Sequence, residues 1–532
     1  MSASVIVRGG TVYDGTGGPG RPADVVVDGN VVVDVGEAPE SADAVEIDAT
    51  GLAVIPGLIN VLSHAWGVLQ QDGSAASDLL QGVTTEVFGE AYTPGPSSPE
   101  FVELCASSYQ ADVQADFARL SEGLAQLESR GVAVNVASSI GGHNLRLLGA
   151  GFEDRRLSVA ELDRLRGLVA EEMQEGALGI GTALIYPPGN FADTDELVQL
   201  CQVVAAYDGL YTSHLRSEGD RFLQALDELL EINARSGVRA EVFHLKAAGR
   251  ANWPKMAQAV DRIADARAAG RSVSASMYPY EAGGTQLAAS IPPHFHEGGP
   301  EALAARLADP EQRGQMAAEI GSTSDDFENL FLAAGGGAGI LFLDDLADGT
   351  PTAGRRLAEL AEDLELDEVQ ALLELVRRDP TIGAAYFLIA PEGIELGLRQ
   401  PWVSVGSDAV AHPATSPWTD TATHPRTYGT FARVLGHYCR DLGLLEFSEA
   451  VRRMTSQPAD VFRLAGRGRL VPGAFADVVV LDPATVGDRA TFEDPHRTSV
   501  GVAHVLVNGD VVVRDGAVTA SRPGLRLRRG RR

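Results

Sequence analysis

The middle of the chain contains eight short apolar runs that lack polar alternation. They span residues 53–61, 83–88, 132–140, 178–184, 210–213, 240–244, 272–278 and 402–405. Segments with helical periodicity lie between them, such as residues 220–236, which place Phe222, Leu226 and Leu229 on one face and end before Gly237. Unbroken apolar runs are typical of parallel strands buried on both faces of a sheet. Eight strand–helix units predict an α/β fold, a closed (β/α)8 TIM barrel.

The interval between the seventh and eighth runs is too long for a connecting loop. Residues 290–399 are therefore predicted to form an inserted subdomain between strands 7 and 8, with helices near residues 300–307 and 354–378. We expect this subdomain to act as a lid that excludes water from the mouth of the barrel.

Both ends of the chain carry short Val-rich runs separated by turn residues. These runs cover residues 4–7, 24–27, 31–35, 476–481, 502–507 and 511–513. Asn508 and Gly509 between the last two are typical of a hairpin turn. The two ends together are predicted to form a small β-sandwich, residues 1–52 plus 466–532, attached to a catalytic barrel of residues 53–465.

Composition limits the partners of the chain. With 43 basic and 73 acidic residues the formal charge is −30, which disfavours binding to nucleic acid or to an anionic membrane. No apolar stretch is long enough to span a membrane, and the start of the chain lacks the features of a secretion signal. Cys105, Cys201 and Cys439 are too few and too far apart for a disulfide framework. We therefore expect a cytoplasmic protein, and we expect the basic residues 522–532 to form a solvated tail.

Metal-binding residue types fall at the ends of the predicted strands. His64, Glu90, His214, His244 and Asp408 stand at or just after the ends of runs one, two, five, six and eight. Catalytic residues of this type of barrel lie at the carboxyl ends of the strands. Three imidazoles and two carboxylates at one barrel mouth form a ligand set typical of zinc.

Several longer stretches make a family resemblance specific. They are IPGLINVLSHAW (55–66), QGVTTEVFGEAYTPGP (81–96), YTSHLRSEGD (211–220), VFHLKAAGRANWPKM (242–256), MYPYEAGGT (277–285), PWVSVGSDA (401–409) and HPRTYGTFARVLGHY (424–438). In this order they resemble the amidohydrolase superfamily and, within it, the D-aminoacylase (N-acyl-D-amino-acid deacylase) branch. The resemblance implies hydrolysis of the amide bond of an N-acyl-D-amino acid or a related N-acylated small molecule.

The resemblance also implies roles for individual residues. His214 and His244 match ligands of the tightly bound zinc, Glu90 is the candidate for the third ligand, and one zinc ion per chain is expected. Asp408 matches the catalytic aspartate, which takes a proton from the metal-activated water and delivers it to the leaving amine. His64 is a further candidate metal ligand.

A second set of residues is implied to hold the substrate. Lys246, Tyr278 and Arg426 match the residues that bind its carboxylate, a task suited to cationic side chains. His143, in the GGHN stretch after the third run, is a further candidate for substrate contact. A carboxylate-bearing small molecule is thus the expected partner, while the oligomeric state stays open and includes a homo-oligomer.

The first strand departs from the superfamily pattern Asp-x-His-x-His. Asn60, Leu62 and Trp66 replace residues of acidic or imidazole type, and leucine cannot bind a metal. Two hypotheses follow. The chain is a hydrolase that works with one zinc, or it is a repurposed homologue that forms or rearranges amides, or serves as a binding scaffold.

Lysine occurs only at positions 246 and 255. Dihydropyrimidinases and dihydroorotases of the same superfamily bridge two metals through a carboxylated lysine from the fourth strand. This chain has no lysine there, so a two-metal site of that design is excluded.

Overall fold

The computed structural model describes residues 4–530 apart from 41–42, 109–112 and 324–326. Its strands are β1 (Val5–Val12), β2 (Arg21–Asp28), β3 (Val31–Gly36), β4 (Val45–Asp48), β5 (Ala53–Pro56), β6 (Leu58–Asn60), β7 (Val83–Phe88), β8 (Asn135–Ser138), β9 (Ile140–Gly141), β10 (Gly179–Ala183), β11 (Leu210–His214), β12 (Arg239–Val242), β13 (Val273–Met277), β14 (Ala282–Gln286), β15 (Ile340–Phe342), β16 (Gly383–Phe387), β17 (Val403–Val405), β18 (Val478–Leu481), β19 (Val502–Val507), β20 (Asp510–Arg514) and β21 (Ala517–Val518).

The helices are α1 (Val68–Gln71), α2 (Ala76–Leu79), α3 (Pro99–Ser108), α4 (Leu120–Arg130), α5 (Gly142–Ala150), α6 (Val159–Glu175), α7 (Thr194–Ala206), α8 (Phe222–Ser236), α9 (Lys255–Ala268), α10 (Pro300–Ala308), α11 (Pro310–Ile320), α12 (Leu330–Ala333), α13 (Leu357–Asp363), α14 (Glu368–Arg378), α15 (Pro391–Leu398), α16 (Arg426–Arg433), α17 (Phe447–Met454) and α18 (Ser456–Phe462). A π-helical segment, Val434–Asp441, continues α16. None of the helices in the described ranges is long and apolar enough to cross a membrane.

Parallel strands carry the core of the chain. A three-stranded sheet pairs β6, β7 and β8, and a six-stranded sheet runs in the order β17-β13-β12-β11-β10-β9. Only Ser139 separates β8 from β9, and an isolated parallel bridge joins Ser63, after β6, to Ala409, after β17. These strands are buried almost throughout, which explains their lack of polar alternation. The architecture is α/β.

Residues 53–61, predicted as one strand, form two. β5 pairs antiparallel with β18 and parallel with β1, whereas β6 pairs parallel with β7. Gly57 lies between them and approaches Thr84 so closely that a Cβ would stand 2.1 Å from its Oγ1. Both strands are fully buried, so hydropathy does not mark the break. The sheet formed by the chain ends therefore reaches Pro56, beyond the boundary predicted at residue 52.

Strands from both ends of the chain share one nine-stranded sheet. Its order is β21-β20-β19-β18-β5-β1-β2-β3, with β4 paired to β1. β18 beside β5 is the point where the two ends meet. Side chains of its own strands, which include Val7, Val25, Val478 and Leu506, form an apolar cluster distinct from the main core.

The long interval before β17 folds around its own sheet. β14, β15 and β16 pair antiparallel, so the segment begins at Ala282, before the predicted start at residue 290. The single helix predicted at residues 354–378 is wrong, because α13 and α14 are separate. Glu365 between them has a φ of +54°, and the Asp367 side chain begins α14 by accepting a hydrogen bond from the Gln370 amide.

The described part of the basic C-terminal segment, residues 522–530, is not the solvated tail predicted from its charge; residues 531–532 lie outside the described residues. The Val136 amide of β8 donates to the Leu525 carbonyl at 3.0 Å, and the Leu527 amide donates to the Val136 carbonyl at 2.7 Å. The Arg529 amide continues this docking by donating to the Gly176 carbonyl at 2.9 Å. The leucines between the arginines thus add a short extended segment beside β8.

Candidate metal and catalytic site

Five predicted residues meet beyond the carboxyl ends of the parallel strands. His64 follows β6, Glu90 follows β7, His214 ends β11, His244 follows β12 and Asp408 follows β17. The backbone of His244 and of Asp408 is left-handed, with φ of +35° and +52°. Such conformations are costly for residues other than glycine and cluster at functional sites. The turns after β12 and β17 therefore hold these side chains in place at a conformational cost.

Glu90, His214 and His244 form a first group of ligand-type atoms, all buried and all within 4.8 Å of one another. Glu90 Oε1 lies 3.0 Å from His214 Nδ1 and 3.4 Å from His244 Nε2. Two imidazoles and one carboxylate are a donor set that proteins use for zinc in catalytic sites, where a fourth position is left for water or substrate.

His64, Glu90 and Asp408 form a second group. His64 Nε2 lies 3.0 Å from Asp408 Oδ1 and 3.4 Å from Glu90 Oε2. Glu90 therefore belongs to both groups and faces each with a different oxygen. The first group is complete in residue types typical of zinc, whereas the second has one imidazole.

Charges within the two groups stabilise one another. Burial raises the pKa of Glu90, but His244, His214 and His64 outweigh it and hold that pKa well below its usual value. Burial lowers the pKa of His64, but Asp408 and Glu90 raise it to about 10. Burial and Lys246 lower the pKa of His244, but Glu218, Glu90 and Asp408 raise it to about 9. In the absence of a cation, protons on His64 and His244 balance the carboxylates.

Arg426 and Lys246 lie on one side of the site, close to Tyr278. The guanidinium carbon of Arg426 lies 4.8 Å from the Tyr278 ring centroid and Lys246 Nζ lies 5.6 Å from it. Arg426 Nη1 donates to Asp408 Oδ2 at 2.7 Å. Burial raises the pKa of Asp408, but Arg426 and His244 outweigh it, and the pKa is lowered. The three groups predicted to bind a carboxylate are thus neighbours, and one of them also holds the predicted catalytic aspartate.

Known proteins match this chain along its whole length. The amidohydrolase family profile matches residues 394–513. N-acyl-D-glutamate deacylase of Alcaligenes xylosoxydans xylosoxydans is 34% identical over 528 residues, covering 99% of this chain and 96% of that protein. D-aminoacylase of the same organism is 32% identical over 534 residues, covering 99% of this chain and 97% of that protein. The chain belongs to the D-aminoacylase family.

A solved structure supports the same assignment. The crystal structure of N-acyl-D-glutamate deacylase from Bordetella bronchiseptica, complexed with zinc and a phosphonate inhibitor that mimics the reaction's tetrahedral intermediate, matches with a TM-score of 0.83 at 31% identity. The match covers 99% of this chain and 100% of that one. These relatives are named as deacylases and a D-aminoacylase, enzymes that hydrolyse amide bonds. The non-hydrolytic alternative that the Leu62 substitution suggested is therefore not favoured.

Glu218 is a part of the site that sequence reasoning missed. Its Oε1 lies 3.0 Å from His244 Nδ1 and accepts from Lys246 Nζ at 2.7 Å, and its Oε2 lies 3.6 Å from His214 Nε2. Burial raises the pKa of Glu218, but Lys246, His214 and His244 outweigh it and lower that pKa. Its position four residues after His214 is the one sequence signal that could have drawn attention to it.

His143 lies on α5, near enough to Glu90 and His214 for their charges to influence its pKa. Its buried ring stands edge-on to Tyr92, with centroids 4.8 Å apart. Burial lowers the pKa of His143 to about 4, so the imidazole is neutral. The structure gives no direct contact between His143 and the five residues at the strand ends.

Two of the three substituted residues of the first strand, Asn60 and Leu62, are buried in the scaffold of the site, and Trp66 is half-buried. Asn60 Nδ2 donates to Glu86 Oε2 and to Ser407 Oγ, both at 2.8 Å, and Asn60 Oδ1 accepts from the Ser407 amide at 2.9 Å. The fully buried Leu62 accepts from the Asp408 amide through its carbonyl oxygen at 2.9 Å. These residues therefore tie β6 to the turn that carries Asp408.

Proposed function

We propose that this chain hydrolyses the amide bond of N-acyl-D-amino acids, using one zinc ion held by Glu90, His214 and His244. The observation that carries the proposal is the buried group of two imidazoles and a carboxylate, with Asp408 and Arg426 beside it. The full-length relatives named for this reaction support it.

The residues present fit zinc. The ligand atoms of Glu90, His214 and His244 are buried within 4.8 Å of one another and leave room in the donor set for water or substrate. We propose one ion because Leu62 stands where a second site would need an imidazole. In a one-zinc site His64 is a neighbour of Asp408 and does not need to bind a metal.

Zinc bound there would lower the pKa of a water molecule to about 7 and polarise the amide carbonyl. Asp408 is placed to accept a proton at Oδ1, the oxygen nearest His64, and to return it to the leaving amine. Arg426 keeps Asp408 ionised, because it lowers the pKa of that carboxyl. The Asp408 carboxylate is therefore ionised at neutral pH and can accept a proton.

The substrate carboxylate is proposed to bind between Arg426, Lys246 and Tyr278. Both cations lie within 6 Å of the Tyr278 ring, so a carboxylate there meets two positive charges and a phenol. A guanidinium binds a carboxylate through two parallel hydrogen bonds, which fixes its orientation. His143 is proposed to line the acyl or side-chain end of the same pocket.

The finer architecture is also a proposal. We infer that β6, β7, β8 with β9, β10, β11, β12, β13 and β17 close into a (β/α)8 barrel through the Ser63–Ala409 bridge. The described residues of 4–56 and 466–530 form the β-sandwich unit in this account, and those of 282–399 form the inserted lid-like subdomain. This arrangement puts the site at the mouth of the barrel, under the insertion.

Hydrolysis of paired enantiomers tests the proposal. The N-acetyl derivatives of D- and L-glutamate, aspartate and leucine are incubated with the zinc-loaded protein, and released amino acid is quantified. We expect turnover of one or more D compounds and none of the L compounds. His214→Ala should abolish it. A zinc-loaded protein that cleaves none of the D compounds contradicts the proposed function.

A further inference from the structure

Each ligand imidazole must present a lone pair to the metal, so its other ring nitrogen has to carry the proton. In this chain the two rings are oriented in opposite senses. His214 faces Glu90 with Nδ1 at 3.0 Å, and His244 faces Glu90 with Nε2 at 3.4 Å. Their remaining nitrogens, Nε2 of His214 and Nδ1 of His244, both face Glu218.

We propose that Glu218 is a positioning residue that fixes the tautomer and ring orientation of both zinc-binding histidines. Glu218 Oε2 is the carboxylate oxygen facing His214 Nε2, 3.6 Å away, and that buried nitrogen has no hydrogen-bond partner among the described residues. Glu218 Oε1 lies 3.0 Å from His244 Nδ1. Carboxylates that accept the outer N–H of ligand histidines typically contribute a factor of about 10–100 to metal affinity. We assign this role toward both histidines to the single carboxylate of Glu218, and the assignment rests on the proposed zinc site.

Lys246 competes for the same nitrogen. Its ammonium lies 2.8 Å from His244 Nδ1 and donates to Glu218 Oε1 at 2.7 Å. If Lys246 donates to Nδ1, the proton of a neutral His244 sits on Nε2, the nitrogen that faces Glu90 and has to be unprotonated to bind a metal. With zinc bound, Glu218 Oε1 would prevent this by accepting from both Lys246 Nζ and His244 Nδ1, which lie 2.7 Å and 3.0 Å from it. Loss of Glu218 should therefore weaken zinc binding, whereas loss of Lys246 should not.

The inserted segment holds Glu218 in place. Glu328, buried and N-terminal to α12, accepts through Oε2 from Ser217 Oγ at 2.6 Å, from the Glu218 amide at 3.0 Å and from the Gly219 amide at 3.1 Å. These bonds fix the backbone on both sides of the Glu218 side chain. Through these bonds the insertion contributes to the geometry around the proposed metal ligands.

Zinc affinity of the metal-free, full-length protein tests the inference without relying on activity. Competition with a chromogenic zinc chelator gives the dissociation constant for wild type, Glu218→Gln, Lys246→Met and the double variant. We expect a loss of about 10–100-fold for Glu218→Gln and for the double variant, and no loss for Lys246→Met. The visible spectrum of the cobalt-substituted protein should change for Glu218→Gln, because ligand orientation changes.

Glu196→Gln is the matched control. It makes the same exchange at another buried carboxylate, which pairs with Arg146 at 2.8 Å, and should leave zinc affinity and the cobalt spectrum unchanged. Recovery of affinity in the double variant overturns the inference, because Glu218 then only neutralises Lys246. Unchanged affinity in Glu218→Gln overturns it as well, while leaving hydrolysis by the wild type intact.

The two proposals can fail separately. A wild type that binds zinc through a Glu218-dependent site but cleaves no N-acyl-D-amino acid refutes the proposed reaction and supports the positioning role. A wild type that binds no zinc refutes both.

Discussion

Asp408→Asn removes one negative charge from the centre of the site, and asparagine can adopt the backbone conformation of residue 408. Asp408 has a φ of +52°, and asparagine is among the few residues that tolerate this region. The side chain keeps its size, so the turn after β17 and the bond from its amide to the Leu62 carbonyl should persist. The substitution therefore isolates the loss of the carboxylate.

The expected magnitudes follow from the two oxygens. Oδ2 accepts a charge-assisted hydrogen bond from Arg426 at 2.7 Å, and weakening it costs about 1.5–3 kcal/mol of folding stability. Oδ1 is the proposed proton acceptor, and positioned proton transfer contributes about 10²- to 10⁴-fold to rate. That factor corresponds to about 3–5 kcal/mol of activation free energy.

Steady-state hydrolysis of the best N-acetyl-D-amino acid, with zinc content measured on the same sample, is the assay. We expect kcat to fall by about 10²- to 10⁴-fold with zinc retained. Asp477→Asn is the control, since Asp477 also forms a buried pair with an arginine, Arg467, at 2.5 Å, but immediately before β18 of the sheet formed by the chain ends. It should lose stability and keep kcat. A kcat for Asp408→Asn within a few fold of wild type refutes the assignment of Asp408 as the proton carrier.

Three further predictions concern metal, substrate and pH. Glu90→Gln removes the carboxylate shared by both groups of ligand-type atoms. It should weaken zinc binding by more than the roughly 100-fold lost when a residue that only hydrogen-bonds to a metal ligand is changed. One zinc ion per chain remaining after dialysis of this variant contradicts the prediction. Arg426→Met should lower kcat/KM for N-acyl-D-amino acids by about 10–100-fold, as loss of a charged hydrogen bond implies. The fall in kcat/KM should be smaller for substrates whose carboxylate is replaced by a carboxamide. An equal fall for acids and carboxamides counts against carboxylate binding by Arg426. In the metal-free protein the pKa values of His64 and His244, about 10 and about 9, lie above the ordinary 6.5. The stability that their protonation contributes is therefore complete below pH 6.5 and is lost as the pH rises through 9 to 10. Between pH 6.5 and 10, Tm should fall more steeply for the metal-free protein than for the zinc-loaded protein. Parallel curves of Tm against pH for the two forms would contradict this.

Much of the fold could be predicted from the sequence because parallel strands buried on both faces leave unbroken apolar runs. The runs that became β7, β10, β11 and β13 lie where expected. The site residues followed from the rule that functional groups stand at the carboxyl ends of such strands. The structure brings His64, Glu90, His214, His244 and Asp408 together, as that rule predicts.

The remaining features depend on tertiary contacts that hydropathy does not encode. β5 and β6 are equally buried, so only the close approach of Gly57 to Thr84 separates a strand of the terminal sheet from a strand of the core. The docked tail was hidden by its arginines, because backbone pairing with Val136 is independent of side-chain charge. Glu218 looked like an ordinary loop carboxylate, since its importance comes from rings that reach it from two different strands.

Metal content and activity measured together on one sample test the central claim most directly. The protein is stripped with a chelator, assayed on N-acyl-D-amino acids, and titrated with zinc while elemental analysis counts the bound ions. Our account predicts no turnover without metal and recovery that is complete at about one zinc per chain, as expected for a site with three protein ligands. Full activity in stripped protein, or a His214→Ala variant that recovers with zinc as the wild type does, would contradict it.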